Sequence, residues 1–247
     1  MTVRIGLALP SFVEDPEIPI AIARAAEEAE LDGVFVYDHL WRGDPPNRRP
    51  ALEAFALLGA LAAETRRVAI GTLVARATLR PPATLANAFA TVQRVSDGRL
   101  IAGIGAGDAQ SRAENEAFGL PFGTMAERIG ALHDAVHACA GHGYPVWVGG
   151  RASQVRQIVA VADAWNAWGL DADEYATASA LVRAVAPSAL LTWGGLARPR
   201  EEGARALADR LRPYTDQGVA WIVVAPVESS DVDNVPILAE MRGALVG

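Results

Sequence analysis

Short, nearly continuous apolar runs alternate along this chain with longer alanine-rich stretches whose apolar residues recur at helical spacing. The apolar runs cover 3–9, 33–37, 67–74, 99–105, 145–149, 164–168, 188–193 and 219–224. The helical patterns cover 17–30, 51–64, 82–95, 124–140, 151–163, 172–184, 200–212 and 233–245. Length separates the two kinds, because buried strands are short and helices longer. Within the strand runs the apolar residues are continuous instead of alternating, which suits parallel strands covered on both faces. About eight βα units in one chain predict a single-domain (β/α)8 TIM barrel. A doubly wound open sheet is the alternative, but it usually has fewer units and carries a nucleotide fingerprint. The sequence shows no internal repeat and no interdomain linker, and the segment 42–50, RGDPPNRRP, reads as a long βα loop.

Composition narrows the function classes. The 247 residues are 51% hydrophobic and 21% charged, enough to bury a sizeable core. The formal net charge of -7 argues against non-specific nucleic-acid binding. All 22 basic residues are arginine, which excludes Schiff-base lysine chemistry and a Walker-type phosphate lysine. Cys139 is the one cysteine, so no internal disulfide forms, consistent with a reducing compartment. With no signal-peptide pattern and no run long enough to span a bilayer, a cytoplasmic protein is expected.

In a TIM barrel the chemistry sits where the strands end and their loops converge. The second strand run ends abruptly in DGVFVYDHLW on Asp38 and His39. An imidazole there can exchange a proton near neutral pH, tuned by a neighbouring carboxylate; Asp38 could equally cap the next element while His39 packs beside Trp41. After the third strand, GTLVARATLRPP places Arg76 and Arg80 near Thr72 and Thr78. Arginines at a barrel mouth hold carboxylates or phosphates, although a solvated loop closed by Pro81 and Pro82 is the plainer reading. The fourth strand ends in GIGAGD, which fails the dinucleotide pattern because Asp108 stands where the third glycine belongs. It reads instead as a glycine-lined wall with an acid at its rim, or as a bulged strand end. In WVGGRASQ, Gly149 and Gly150 precede a helix whose first turn carries Arg151 and Ser153, an arrangement suited to phosphate. His133 and His137 are spaced i, i+4, but HExxH lacks its glutamate here, so a helix-surface reading outweighs a metal site.

Taken in order, DGVFVYDHLW, LLGALAAETRRVAIGTLVARATLRPPATLANAFATVQRVSDGRLIAGIGAGD, FGLPFGTMAERIGAL and YPVWVGGRASQVRQIVAVADAWNAWG resemble the bacterial luciferase-like superfamily. These are flavin- and deazaflavin-dependent oxidoreductases on a (β/α)8 barrel. The likeness covers about residues 30–170 and is nearest to enzymes using coenzyme F420. It implies that His39, beside Asp38, is a proton donor or relay next to the deazaflavin. It implies a non-proline cis peptide near Leu73–Val74 supporting the ring, with Arg76 and Thr78 touching the cofactor just after it. Ala106, Gly107 and Asp108 would meet the ring, Asp108 standing where some relatives have a catalytic glutamate. Gly149, Gly150, Ala152 and Ser153 would hold the ribityl-phosphate side.

The expected activity is hydride transfer between F420 and a small organic substrate. An FMN-dependent monooxygenase is the alternative, and a non-catalytic flavin-binding barrel a second. The resemblance also implies a homodimer, and on the reading of His133 and His137 no metal is expected. The substrate is shaped by loops 40–50 and 106–122 and by strand ends 169–172, 194–199 and 225–230, none of which carries a specificity signature.

Overall fold

The computed structural model describes residues 3–43 and 49–246. Eight parallel strands form the barrel: β1 (Arg4–Ala8), β2 (Gly33–Val36), β3 (Ala69–Thr72), β4 (Leu100–Gly105), β5 (Val146–Gly149), β6 (Ala164–Trp168), β7 (Leu190–Ala197) and β8 (Trp221–Pro226). Each pairs with its neighbour in sequence, and the sheet closes where Arg4 of β1 meets Trp221 of β8. The expected (β/α)8 barrel is therefore the fold. The helices are α1 (Glu17–Glu28), α2 (Ala54–Glu64), α3 (Pro82–Val95), α4 (Ser111–Ala117), α5 (Met125–Cys139), α6 (Ala152–Val159), α7 (Ala172–Arg183), α8 (Pro199–Glu202), α9 (Ala204–Asp216) and α10 (Asn234–Val246).

Local chemistry sets several boundaries. Pro82 starts α3 at a position where its missing N–H costs nothing, and Gly98, at φ 84, turns the chain away after it. Reciprocal capping boxes, Thr124 with Glu127 and Asp171 with Glu174, start α5 and α7. The expected strand over 188–193 continues to Ala197, because Gly194 and Gly195 stay extended and pair with β8. The expected helix over 200–212 is split: Gly203, at φ 77, separates α8 from α9, which then runs through Pro213 to Asp216. The expected helix over 151–163 stops at Val159. Helix α4 had no counterpart in the reading of the apolar pattern. Of the loop expected over 42–50, residues 44–48 lie outside the described residues, and its flanks Trp41–Arg42 and Arg49–Pro50 pair antiparallel.

Two apolar layers hold the barrel. One lies between strands and helices. The other fills the interior, where Phe35, Trp147 and Trp221 meet with ring centroids 5.4 to 6.0 Å apart. Glycines make room for these rings: a Cβ on Gly6 would stand 2.7 Å from Phe35 Cε2, and one on Gly33 would stand 2.9 Å from Trp221 Cζ3. Burying such rings contributes roughly 2–3 kcal/mol each. The plug closes the interior, so a ligand has access only at the strand ends. Because all eight strands are parallel, their C-terminal ends share one rim.

Candidate active site

Asp38 and His39 leave β2 at that rim, and their side chains part company. Asp38 is buried and its carboxylate turns sideways. It accepts from the Arg76 backbone N–H at 3.0 Å and from both Nη atoms of Arg80, at 2.7 and 3.1 Å. Arg80 also donates to Glu53 at 2.6 Å and lies over the Phe55 ring. Asp38 thus ties β2 to the segment after β3.

His39 remains partly exposed, its ring 5.7 Å from that of Phe12. The carboxylate facing it is not that of Asp38. Its Nδ1 lies 2.7 Å from Oε1 of Glu114, on α4. The same carboxylate accepts from the N–H of Leu40 at 2.7 Å and of Trp41 at 3.3 Å, and it stands 2.9 Å from Nη1 of Arg76. Burial of Glu114 opposes its ionisation, but the hydrogen bonds from His39 and Leu40 and the charges of His39 and Arg76 outweigh it. The carboxyl is held down at about 2.

Arg76 is buried in this cluster. Its Nε donates to the Asp38 carbonyl at 2.8 Å, and its Nη1 donates to Asn115 Oδ1 at 2.9 Å. It is a strut of the rim: of the two readings open in the sequence, its burial does not fit a solvated loop, and the carboxylate it stands against is that of Glu114. Thr78 follows it, half-buried. The peptide Leu73–Val74 is cis. Val74 leans over three glycines: Cβ atoms on Gly103 and Gly149 would stand 3.6 and 2.7 Å from its Cγ1, and one on Gly105 would collide with its Cγ2. Gly105 and Gly149 therefore make room for the Val74 side chain and seat the segment after β3 against β4 and β5.

Ala106 and Gly107 continue from β4, half-buried, Gly107 at φ 74 beside Arg76. Asp108 is exposed, and its Oδ1 accepts from the Ser111 N–H at 3.0 Å and the Ser111 hydroxyl at 3.1 Å. That carboxylate holds the turn that leads into α4, whose N-cap is Gln110. On β5, Gly149 is followed by Gly150, at φ 145, whose carbonyl accepts from Trp165 Nε1 at 2.9 Å. No side chain caps α6, whose first turn holds Ala152, buried, and Ser153, exposed, beside exposed Arg151. The helix follows the C-terminal end of β5, and an uncapped helix N-terminus suits an anion. The opposite wall is aromatic: Tyr37 stacks on Phe12 at 6.1 Å and meets Trp168 edge-on at 6.1 Å.

The barrel thus brings His39, Leu73, Val74, Gly107, Gly149 and Gly150 to one rim, with Asp38 and Arg76 as its frame and Asp108 in the turn before α4. Sequence reasoning missed Glu114. The stretch AENEAFG offers no spacing signal; only the turn of chain between β4 and α4 carries it to His39. Among the described residues no cluster of three metal-ligating side chains exists, and the His133 and His137 rings lie 4.2 Å apart on the surface of α5. No described helix is long and apolar enough to cross a membrane.

The curated relatives include the F420-dependent glucose-6-phosphate dehydrogenase of Beutenbergia cavernae, 38% identical over 136 residues, which are 54% of this chain and 39% of that protein. The enzyme of the same name from Nakamurella multipartita is 35% identical over 133 residues, 53% and 36% of the two chains. The chain therefore spans well under half the length of these relatives. Among solved structures, an F420-dependent secondary alcohol dehydrogenase in complex with an F420–acetone adduct superposes with a TM-score of 0.84 at 15% identity, covering 99% of both chains. An EDTA monooxygenase from Chelativorans sp. BNC1 superposes with a TM-score of 0.77 at 14% identity, covering 99% of this chain and 95% of the other. At such identities these two share the fold. The family model described as luciferase-like monooxygenase matches residues 4–194, more than half of the sequence, and the chain belongs to that family.

Proposed function

We propose that this chain is an oxidoreductase that binds coenzyme F420 at the barrel rim and moves a hydride between it and a small organic substrate. The observation that carries the reading is the Leu73–Val74 segment, seated on Gly105 and Gly149 through the Val74 side chain, on the same rim as the partly exposed His39. That segment would back a planar tricyclic ring, and a side chain at either glycine would displace Val74 and the backing with it. The uncapped N-terminus of α6, with Arg151 and Ser153, suits the phosphate of the same cofactor. When bound, the deazaflavin supplies the ring carbon that gives or takes the hydride; the protein supplies position and the proton.

His39 is the acid–base group, within reach of a substrate held between the Leu73–Val74 segment and the aromatic wall of Tyr37 and Trp168. Leu73, Val74, Ala106 and Gly107 back the ring, Gly149, Gly150, Ala152 and Ser153 surround the phosphate side, and Asp38, Arg76 and Thr78 support the segment beneath. The curated relatives' names favour F420 over FMN. The family description and the monooxygenase fold neighbour favour FMN as the second reading. We further read the protein as a cytoplasmic homodimer.

Titration of the purified chain with F420 and with FMN, followed by fluorescence, separates the readings. Tighter F420 binding is expected, with turnover that falls about 10²-fold or more in His39→Ala while affinity holds within a few fold. Tighter FMN binding with oxygen-dependent turnover would replace this reading by the monooxygenase. Binding without turnover, unchanged in His39→Ala, would leave a non-catalytic barrel.

A further inference from the structure

We propose that Glu114 is the positioning residue of His39: it fixes the proton of the neutral imidazole on Nδ1 and so presents a bare Nε2 to the pocket. The proposal builds on the reading of His39 as the proton relay, but the tautomer is a property of this chain alone.

The argument is geometric. Glu114 is 2% exposed, and all its described partners are donors: the Leu40 and Trp41 N–H groups, Arg76 Nη1 and His39 Nδ1. An ionised carboxylate only accepts hydrogen bonds. A ring nitrogen 2.7 Å from it must therefore carry a hydrogen, and the neutral ring then has its lone pair at Nε2. The other charged groups here do not compete for the ring. Asp38 faces Arg76 and Arg80, Asp108 is engaged with Ser111, and Arg76 shares Oε1 of Glu114 while holding Asn115 and the Asp38 carbonyl.

The two N–H contacts from Leu40 and Trp41 fix the carboxylate against the backbone that carries His39, so acid and imidazole move as one unit. When a substrate hydroxyl gives up its proton, the O–H pair stays on oxygen and the proton goes to Nε2. The imidazolium charge then sits against Glu114, which stays ionised. In the reducing direction the proton returns from Nε2 to the substrate oxygen. Glu114 touches neither substrate nor ring; it acts through His39.

The test is long-range proton–nitrogen NMR on cofactor-free protein labelled with ¹⁵N-histidine, at a pH where the ring is neutral. His39 is identified by loss of its signals in His39→Gln. A protonated Nδ1 and a bare Nε2 are expected in the wild type. In Glu114→Gln, where the amide both accepts and donates, a mixture of tautomers is expected. Turnover should fall on the order of 10²-fold or more with F420 affinity within about threefold, and Glu114→Asp should recover part of the rate.

A wild-type His39 protonated on Nε2 overturns the proposal, and this reading needs no variant to fold. So does a Glu114→Gln protein with unchanged turnover. The expected tautomer in a protein that fails to bind F420 supports the Glu114 assignment and defeats the cofactor reading instead.

Discussion

A methyl group on Gly149 would stand 2.7 Å from Cγ1 of Val74, so the end of β5 and the segment after β3 are fitted to each other across the rim. Separation this short forces one partner to shift. Gly149→Ala is expected to lower stability by about 1–3 kcal/mol, the range for overpacking. Removing the opposing methyls in Val74→Ala should relieve that loss, so that the double variant is more stable than the sum of the singles predicts. Urea unfolding of the four proteins measures the coupling. Strict additivity would show that the glycine answers to something other than Val74.

Asp108 gives the clearest separation between a turn-holding acceptor and an acid. Asparagine holds such turns about as well as aspartate but has no proton to donate as an acid. Asp108→Asn should therefore keep stability within about 0.5 kcal/mol and turnover within a few fold, while Asp108→Ala should lose about 0.5–2 kcal/mol as Ser111 loses its acceptor. A drop of 10²-fold in turnover for Asp108→Asn would restore the acid role that family resemblance assigns to this position.

Glu114 predicts a pH dependence of stability with a definite sign. Its carboxyl lies at about 2 in the folded chain against an ordinary 4.5, so the folded state binds that proton more weakly. The group's contribution is complete above pH ~4.5 and is lost as pH falls toward 2, a total on the order of 3 kcal/mol. Wild-type protein should accordingly be more stable than Glu114→Gln at pH 7, with the gap narrowing as pH falls from 4.5 to 3. Chemical denaturation at pH 7, 4.5 and 3.5 tests it; a gap that is constant or grows between pH 4.5 and 3.5 would contradict the ionised, multiply bonded carboxylate.

Cys139 lies at the end of α5, fully buried, and burial pushes its thiol up to about 11. Both effects suppress the thiolate. A disulfide reagent at pH 8 should modify native protein only at the rate of unfolding, and label it stoichiometrically in 6 M guanidinium. Fast labelling of native protein would show that the α5 end opens independently of the barrel.

The eight apolar runs and the helical patterns between them already specified the barrel. Parallel strands covered on both faces must be apolar throughout, and that constraint is local enough to leave its mark on consecutive residues. The same logic located the rim: polar residues following an apolar run, as in Tyr37-Asp38-His39, mark where a strand leaves the wall. The cis peptide at Leu73–Val74 came from family likeness, since no composition or spacing distinguishes it.

Boundaries were less legible where glycine was ambiguous. Gly194-Gly195 lie beyond the end of the strand expected over 188–193 but belong to a strand whose neighbours β6 and β8 hold it extended, whereas Gly203 does break a helix. What the sequence by itself determined, then, is the architecture and the position of His39 at a strand end. Only the tertiary structure decided which carboxylate serves it. Asp38 is adjacent in the chain, but Arg80 and the Arg76 backbone draw it away, and Glu114 arrives from 75 residues further on. Burial and hydrogen-bond demand in the folded rim pair charges by distance in space, and no pattern of neighbouring residues encodes that distance.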